Sequence, residues 1–288
     1  MRRRAEDASR KALERTTVDS TPEIAIEIRG VGKHFSQRRK SRNVVLADVN
    51  LDIVRGEFVS VVGASGCGKT TLLRMLGGLA PYDEGTITMN GKVVRGVPPR
   101  IGFVFQDSAL LPWRTVRQNV AVGMNERRHE LTRRDVRERV DAQLALVGLS
   151  AFADYLPRQV SGGMQQRAGL ARALVAEPDI LLMDEPFGAL DAFTRLRLQE
   201  ELATIVTRTS ATTVFVTHDV DEAVFLSDRV AVMSIDPGMI KEVVPITLPR
   251  PRLTRAELLD NSVAADLRDR VLGLVIGAKP AHPARATS

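Results

Sequence analysis

One cysteine, one tryptophan and two tyrosines are all that 288 residues contain of those types, and aromatics make up only 4% of the chain. The single cysteine, Cys67, cannot form an internal disulfide, which excludes a disulfide-stapled scaffold and fits a reducing compartment. So few aromatics argue against a base-stacking platform for nucleic acid. Long apolar runs are missing as well. The longest, residues 180–183 and 214–216, are strand-sized, far short of the ~20 residues that span a bilayer. The N-terminus, Met1-Arg-Arg-Arg-Ala-Glu-Asp7, has no apolar stretch of the kind a secretory signal carries, so the chain is expected to stay in the cytosol unless a partner brings it to a membrane. Charge of one sign is not concentrated either. The net charge is +6, but residues 126–130 and 133–139 interleave acids with bases. That is the pattern of a solvated helical face, and no nucleic acid partner is expected.

What the chain does have is one stretch around which the rest is organised. Val59, Val61 and Val62 read as a buried strand, and Leu72, Leu73, Met75 and Leu76 as a helix. Between them runs Gly63, Ala64, Ser65, Gly66, Cys67, Gly68, Lys69, Thr70 and Thr71, the glycine-rich phosphate loop spacing with lysine and threonine in place. Glycines let successive N–H groups turn toward one anion. The helix start adds its unpaired N–H groups and positive dipole end. Lys69 is placed for the β- and γ-phosphates, and the Thr70 hydroxyl for Mg²⁺. Cys67 has two readings, a catalytic thiol at a helix N-terminus or a small side chain filling a loop position.

Two further stretches carry chemistry. Residues 180–183 are apolar and end in Asp184 and Glu185, so a buried strand delivers two carboxylates to the end of the sheet where α/β ligands bind. Asp184 is placed to hold Mg²⁺ and Glu185 to orient or deprotonate water. Val160-Ser161-Gly162-Gly163-Met164-Gln165 heads a helix and forms a second anion site. One nucleotide needs one phosphate loop, so a second such turn points to a nucleotide shared between two chains.

Strands alternate with helices along the chain, which predicts an α/β fold: a P-loop NTPase core with a mostly parallel sheet, an antiparallel β subdomain and an inserted helical subdomain. Strands are expected at 24–28 (ending at Gly30), 44–53, from Phe58, as a hairpin about Asn90-Gly91, and at 101–105, 180–183, 212–217, 230–233, 238–240 and 243–248. Residues of about 108–176 read as the inserted helical part. Residues 1–22 read as a flexible extension, 23–252 as the ATPase domain, and 253–288 as a C-terminal helix and tail. In that helix Leu259, Val263, Leu267 and Val271 are spaced i, i+4, a stripe that fits packing on its own domain or a dimer contact.

Taken in order, these motifs resemble the ATP-binding subunit of an ABC transporter, over about residues 24–252. The resemblance assigns Gly63 through Thr70 as Walker A, Gln106 as the Q-loop, Ser161-Gly-Gly-Met-Gln165 as the signature, Asp184-Glu185 as Walker B, Ala189-Leu-Asp191 as the D-loop and His218 as the switch histidine. It implies ATP and Mg²⁺ as ligands and an ATPase that works as a homodimer. Phe35 would stack on adenine, unless it is a core aromatic. Gln106 would sense the γ-phosphate and Mg²⁺, and His218 would contact the γ-phosphate. Ser161, Gly162 and Gly163 would close the opposing subunit's site, and Asp191 would lie across the dimer interface. The signature departs from the family's usual form at Val160 and Met164. Residues 105–113, 184–191, 217–225 and 248–252 resemble the nitrate, sulfonate and taurine importer group. Permease subunits, and indirectly a solute-binding protein, would be partners at the cytoplasmic face of the inner membrane. Trp113 is expected in an exposed groove for the permease or in a packed subdomain core. A non-transport ABC ATPase is disfavoured by the single cassette and the lack of a heptad run, and a non-catalytic subunit by the presence of Glu185 and His218.

Overall fold

The computed structural model describes residues 23–36, 42–125, 130–188, 190–249, 257–258 and 260–277. The expected N-terminal extension, most of the basic loop at 37–43, Glu126 to His129, Ala189, the Arg-Pro-Arg run at 250–252, Leu259 and the C-terminal tail from 278 lie outside them.

Ten strands and seven α-helices follow one another among the described residues. The strands are β1 (Ile24–Ser36), β2 (Arg42–Val54), β3 (Phe58–Val62), β4 (Glu84–Met89), β5 (Lys92–Val93), β6 (Ile101–Val104), β7 (Ile180–Asp184), β8 (Thr212–Thr217), β9 (Arg229–Met233) and β10 (Ile240–Pro245). The helices are α1 (Lys69–Leu76), α2 (Val116–Val122), α3 (Arg133–Leu146), α4 (Gly162–Leu174), α5 (Ala192–Thr209), α6 (Val220–Leu226) and α7 (Ser262–Ile276).

The central sheet has the order β10-β9-β3-β8-β7-β6. It is parallel except for β10, which pairs antiparallel with β9. Every residue of β3, β7 and β8 is buried, which is why these strands read as continuous apolar runs rather than alternating ones. Their carboxyl ends lie side by side: Val62 pairs with Thr217 and Val232, and Asp184 with Val216. The second sheet, β2-β1-β4-β5, is antiparallel, with β4 and β5 joined by the expected Asn90-Gly91 turn, both residues at positive φ. Between β6 and β7 lie α2, α3 and α4, each opened by a side-chain cap, from Thr115, Thr132 and Ser161.

Three local expectations change. The first strand does not stop at Gly30. It continues to Ser36 because shifts in register between Ile28 and His34 absorb the positive φ of Gly30. Two closing strands form rather than three, because Gly238 pairs with β2 instead: its N–H donates to Val45 O at 3.0 Å and its carbonyl accepts from Ala47 N–H at 3.1 Å. Finally, α7 buries Ala264 and Val271 against Val224, Val230 and Val232, while Val263 is 47% exposed. A strict four-residue step drifts by about 40° around a helix of 3.6 residues per turn, so the stripe cannot stay on one face. The inward face instead runs through Ala264, Leu267, Val271, Leu274 and Val275.

Candidate nucleotide-binding site

The loop from Gly63 to Gly68 leaves the central strand and enters α1. Gly66 and Gly68 have φ of +84° and +98°, values that L side chains rarely adopt. A Cβ on Gly68 would also stand 2.6 Å from Leu46 Cδ2. Gly68 caps α1 without a side-chain hydrogen bond, so the first-turn N–H groups face the loop as an anion site. The Lys69 ammonium lies in the loop's concavity, donating to Gly63 O at 2.9 Å and Ala64 O at 3.1 Å. Ser65 and Gly66 are exposed, Ala64, Thr70 and Thr71 partly so. Cys67 is buried among core side chains, and burial pushes its thiol up, outweighing the pull of Lys69. The thiol is a filler of the loop.

The ends of the neighbouring strands complete the arrangement. Thr70 Oγ1 donates to Asp184 Oδ1 at 2.9 Å, and burial raises the Asp184 carboxyl above its ordinary range. Among the described residues no group of three or more His, Cys, Asp or Glu side chains is placed to hold a metal. A hydroxyl and one carboxylate oxygen fit Mg²⁺, which takes few protein ligands and the rest from phosphate and water. Glu185 follows directly, at φ +42°. Its N–H donates to Val216 O at 2.9 Å, and Oε2 is 3.0 Å from His218 Nδ1. Four of the expected residues, from three strand ends, are therefore joined in two pairs, Thr70–Asp184 and Glu185–His218.

The other expected residues are placed around them. Gln106 is exposed just past β6. The backbone on both sides of it is held by α4: Gln166 Nε2 donates to Phe105 O at 3.3 Å, and the Arg172 guanidinium donates to Ser108 O at 2.8 Å and Ala109 O at 2.6 Å. Burial lowers the Arg172 pKa. Phe35 is half-exposed with the Lys33 ammonium 5.5 Å from its ring centre. It pairs with Asn43 on β2, the strand whose Val45 and Leu46 lie against Gly68. Ser161 Oγ accepts from Met164 N–H at 3.3 Å and caps α4. Met164 packs on the core around Leu170 and Leu174, and Gln165 Nε2 donates to Pro157 O at 3.0 Å, so both side chains are engaged within the chain. A Cβ on Gly163 would meet Thr194 Cγ2 at 2.7 Å, whereas one on Gly162 would meet nothing within 4 Å. Asp191 Oδ1 accepts from Thr194 N–H at 3.0 Å. That bond caps α5 and is the main reason the Asp191 carboxyl sits below its usual range.

Several residues that hold the site left no mark in the sequence. Gln166 and Arg172 bind carbonyls about sixty positions upstream. Asn119, wholly buried, accepts from Leu111 N–H at 2.7 Å and donates to the carbonyls of Leu111, Arg114 and Thr115 at 3.1, 3.0 and 3.0 Å. It fixes the loop in which Trp113 is 72% exposed.

A phosphate loop, a threonine–aspartate pair and a glutamate–histidine pair at the carboxyl ends of parallel strands define a P-loop nucleoside triphosphatase. Comparisons with known proteins say which kind. The sequence profile of the family described as ABC transporter matches residues 46–188. The aliphatic sulfonates import ATP-binding protein SsuB of Bacillus licheniformis is 48% identical over 229 residues, 80% of this chain and 88% of that protein. The nitrate import ATP-binding protein NrtC of Synechococcus elongatus is 45% identical over 233 residues, 81% of this chain and 35% of that protein. A solved ATP-binding cassette, dimeric and bound to ADP and Pi in a post-hydrolysis state, superposes with a TM-score of 0.69 at 31% identity, covering 77% of this chain and 98% of that one. The chain belongs to the ABC transporter family, as an ATP-binding cassette that is an ATPase using ATP with Mg²⁺.

Proposed function

We propose that this cassette powers uptake of a small oxyanion, an aliphatic sulfonate, taurine or nitrate, through a partner permease. The names of the relatives support import and the solute class. The observation that carries the ATPase half is the pairing of Thr70 with Asp184 and of Glu185 with His218 at adjoining strand ends. The half that concerns the permease rests on Trp113, which lies in the segment after Gln106 and is exposed rather than packed in a subdomain core. Among the described residues no helix is long and apolar enough to cross a membrane, so the pathway for the solute lies in other chains. A solute-binding protein outside the membrane and a seat at the cytoplasmic face of the inner membrane complete this reading. Residues 23–252 form the cassette, with 108–176 as its helical insert and 1–22 and 253–288 as extensions.

Each residue then has a role. The N–H groups from Gly63 to Thr71 and the Lys69 ammonium bind the phosphates, and Phe35 stacks on adenine. Thr70, Asp184 and Gln106 hold Mg²⁺, which neutralises charge on the β- and γ-phosphates when bound. Glu185 accepts the proton of the attacking water, and His218 holds Glu185 and contacts the γ-phosphate. Ser161, Gly162, Gly163, Met164 and Gln165 of a second copy close the site, with Asp191 beside them. The exposed Phe193, 88% accessible at the start of α5, supports such a dimer face.

Two measurements test the proposal. Glu185→Gln is expected to lower turnover by about a hundredfold or more while ATP-bound dimers accumulate in gel filtration. Turnover at the wild-type rate in that variant would remove Glu185 from its role. A strain lacking the gene is expected to lose growth on a sulfonate as sole sulfur source or on nitrate as sole nitrogen source. Normal growth on both would refute the solute class.

A further inference from the structure

Behind the His218–Glu185 pair lies a buried carboxylate that the reaction does not use. Glu222, in the first turn of α6, is only 4% exposed. Its two oxygens serve two different elements. Oε2 accepts from Thr217 Oγ1 at 2.6 Å, and Oε1 accepts from Gln199 Nε2 at 2.8 Å, from the middle of α5. The direction of these bonds is fixed by counting protons. Thr217 Oγ1 accepts the N–H of Asp219 at 3.0 Å, so its one hydroxyl proton is free to go to Glu222. The peptide so held is the one that joins His218 to Asp219. One turn before Gln199, Arg195 donates to Leu190 O at 3.1 Å and reaches to 3.9 Å from Asp219 Oδ2. This ties the segment after Glu185 to the segment after His218. A buried charge costs stability unless its partners repay it, and burial does push the Glu222 carboxyl up, against the opposing pull of its two hydrogen bonds and of Arg195. An apolar side chain would fill the same space at lower cost, so the carboxylate is retained for what its oxygens hold.

We propose that Glu222 is the positioning residue of the switch histidine. It clamps the backbone on either side of His218 through Thr217, holds the imidazole at Glu185, and through Gln199 makes that grip depend on the position of α5. The helix begins at Asp191, beside the Ser161–Gly163 turn through Thr194, so a shift of α5 on contact with a second copy reaches His218 by this route. The inference rests on the reading that His218 acts on the nucleotide. A methionine at 222 keeps the length of the side chain and offers neither an acceptor to Gln199 and Thr217 nor a donor in its place, so both arms of the clamp break.

The test is steady-state ATP hydrolysis by the full chain, with thermal melting as a check of folding. Glu222→Met is expected to lower kcat about tenfold or more, the order expected of a misplaced catalytic group, with KM for ATP little changed because the phosphate loop is untouched. Thr217→Val, which deletes the relay hydroxyl at nearly constant volume, is expected to show the same loss, and Thr217→Ser to restore it. The double variant is expected to be no worse than either single one. A folded Glu222→Met with wild-type kcat, or losses that add in the double variant, overturns the proposal. Should Glu222→Met fail to fold, a wild-type kcat in Thr217→Val overturns it instead. His218→Ala separates the two levels. Wild-type turnover in His218→Ala removes the reading beneath the proposal, whereas an inactive His218→Ala beside a fully active Glu222→Met removes the proposal alone.

Discussion

Replacing Asn119 by leucine keeps roughly the side-chain volume and strips every polar atom from a side chain with no exposed surface. Four hydrogen bonds are lost, but not all their partners are stranded. Leu111 O still accepts from Arg114 N–H at 3.1 Å, and Thr115 O from the backbone N–H of residue 119 at 2.8 Å. Left without these bonds are the N–H of Leu111 and the carbonyl of Arg114. At about 1–3 kcal/mol per stranded group, and toward the low end because both residues are only half-buried, the loss comes to about 2–4 kcal/mol. Trp113, the sole tryptophan of the chain, sits inside the loop that these bonds close, so its fluorescence reports on that loop alone. The expected outcome for Asn119→Leu is a fall in tryptophan anisotropy together with a denaturation midpoint, followed by far-UV circular dichroism, lowered by that amount. Transport is expected to fall with it, while ATP binding by the chain alone is retained. Unchanged anisotropy and a midpoint shift worth less than about 0.5 kcal/mol, the range of an ordinary surface change, would refute the claim that Asn119 holds the loop that carries Trp113.

Two further perturbations separate stability from function. Gly162→Ala adds a methyl that meets nothing in its own chain, whereas Gly163→Ala drives one into Thr194. The first is expected to leave the melting temperature unchanged yet weaken ATP-driven dimerisation, and the second to lower the melting temperature. Equal effects of both on melting would contradict the packing described for Gly163. Asp184→Asn is expected to stabilise the free chain at neutral pH while abolishing Mg·ATP turnover. A carboxyl whose folded pKa is raised favours folding below the ordinary aspartate value of about 3.9 and loses that contribution as pH rises through the higher folded value. Burial is the leading cause of the raised Asp184 pKa, so the stability difference between Asp184→Asn and wild type should widen on going from pH 4 to neutrality. A constant difference would show that burial does not govern this carboxyl.

The parts legible in the sequence share a physical cause. Strands β3, β7 and β8 are buried on both faces and lead into or end at Gly63, Asp184 and His218, so a largely apolar run followed by one of these residues announces both the strand and the position of the candidate site. Glycine spacing announced the phosphate loop because positive φ at Gly66 and Gly68 admits few other residues. Less was legible where a residue's partners are backbone groups far away in sequence. Arg172, Gln166 and Asn119 satisfy carbonyls and N–H groups of irregular loops, and a loop carbonyl has no residue type to recognise. Glu222 was hidden for a related reason. It sits in a first helical turn, where an acid is expected for the helix dipole alone, and its second partner Gln199 comes from another helix. On α7 a repeat of four laid over a helix of 3.6 residues per turn found Leu267 and Val271 on the inward face but misplaced Val263.

The backbone at Glu185 has a consequence beyond catalysis. A residue with a side-chain β-carbon held at φ +42° stores strain of about 1–3 kcal/mol, and glycine would relieve it. Selection for thermal robustness alone would therefore push position 185 toward glycine or asparagine, and under the role proposed for Glu185 it is selection for ATP turnover that holds a glutamate there. In a library of random variants sorted first for folded protein and then for transport, position 185 is expected to reverse its preference between the two sorts. Few positions in the fold offer so direct a separation of what the chain needs to fold from what it needs to work.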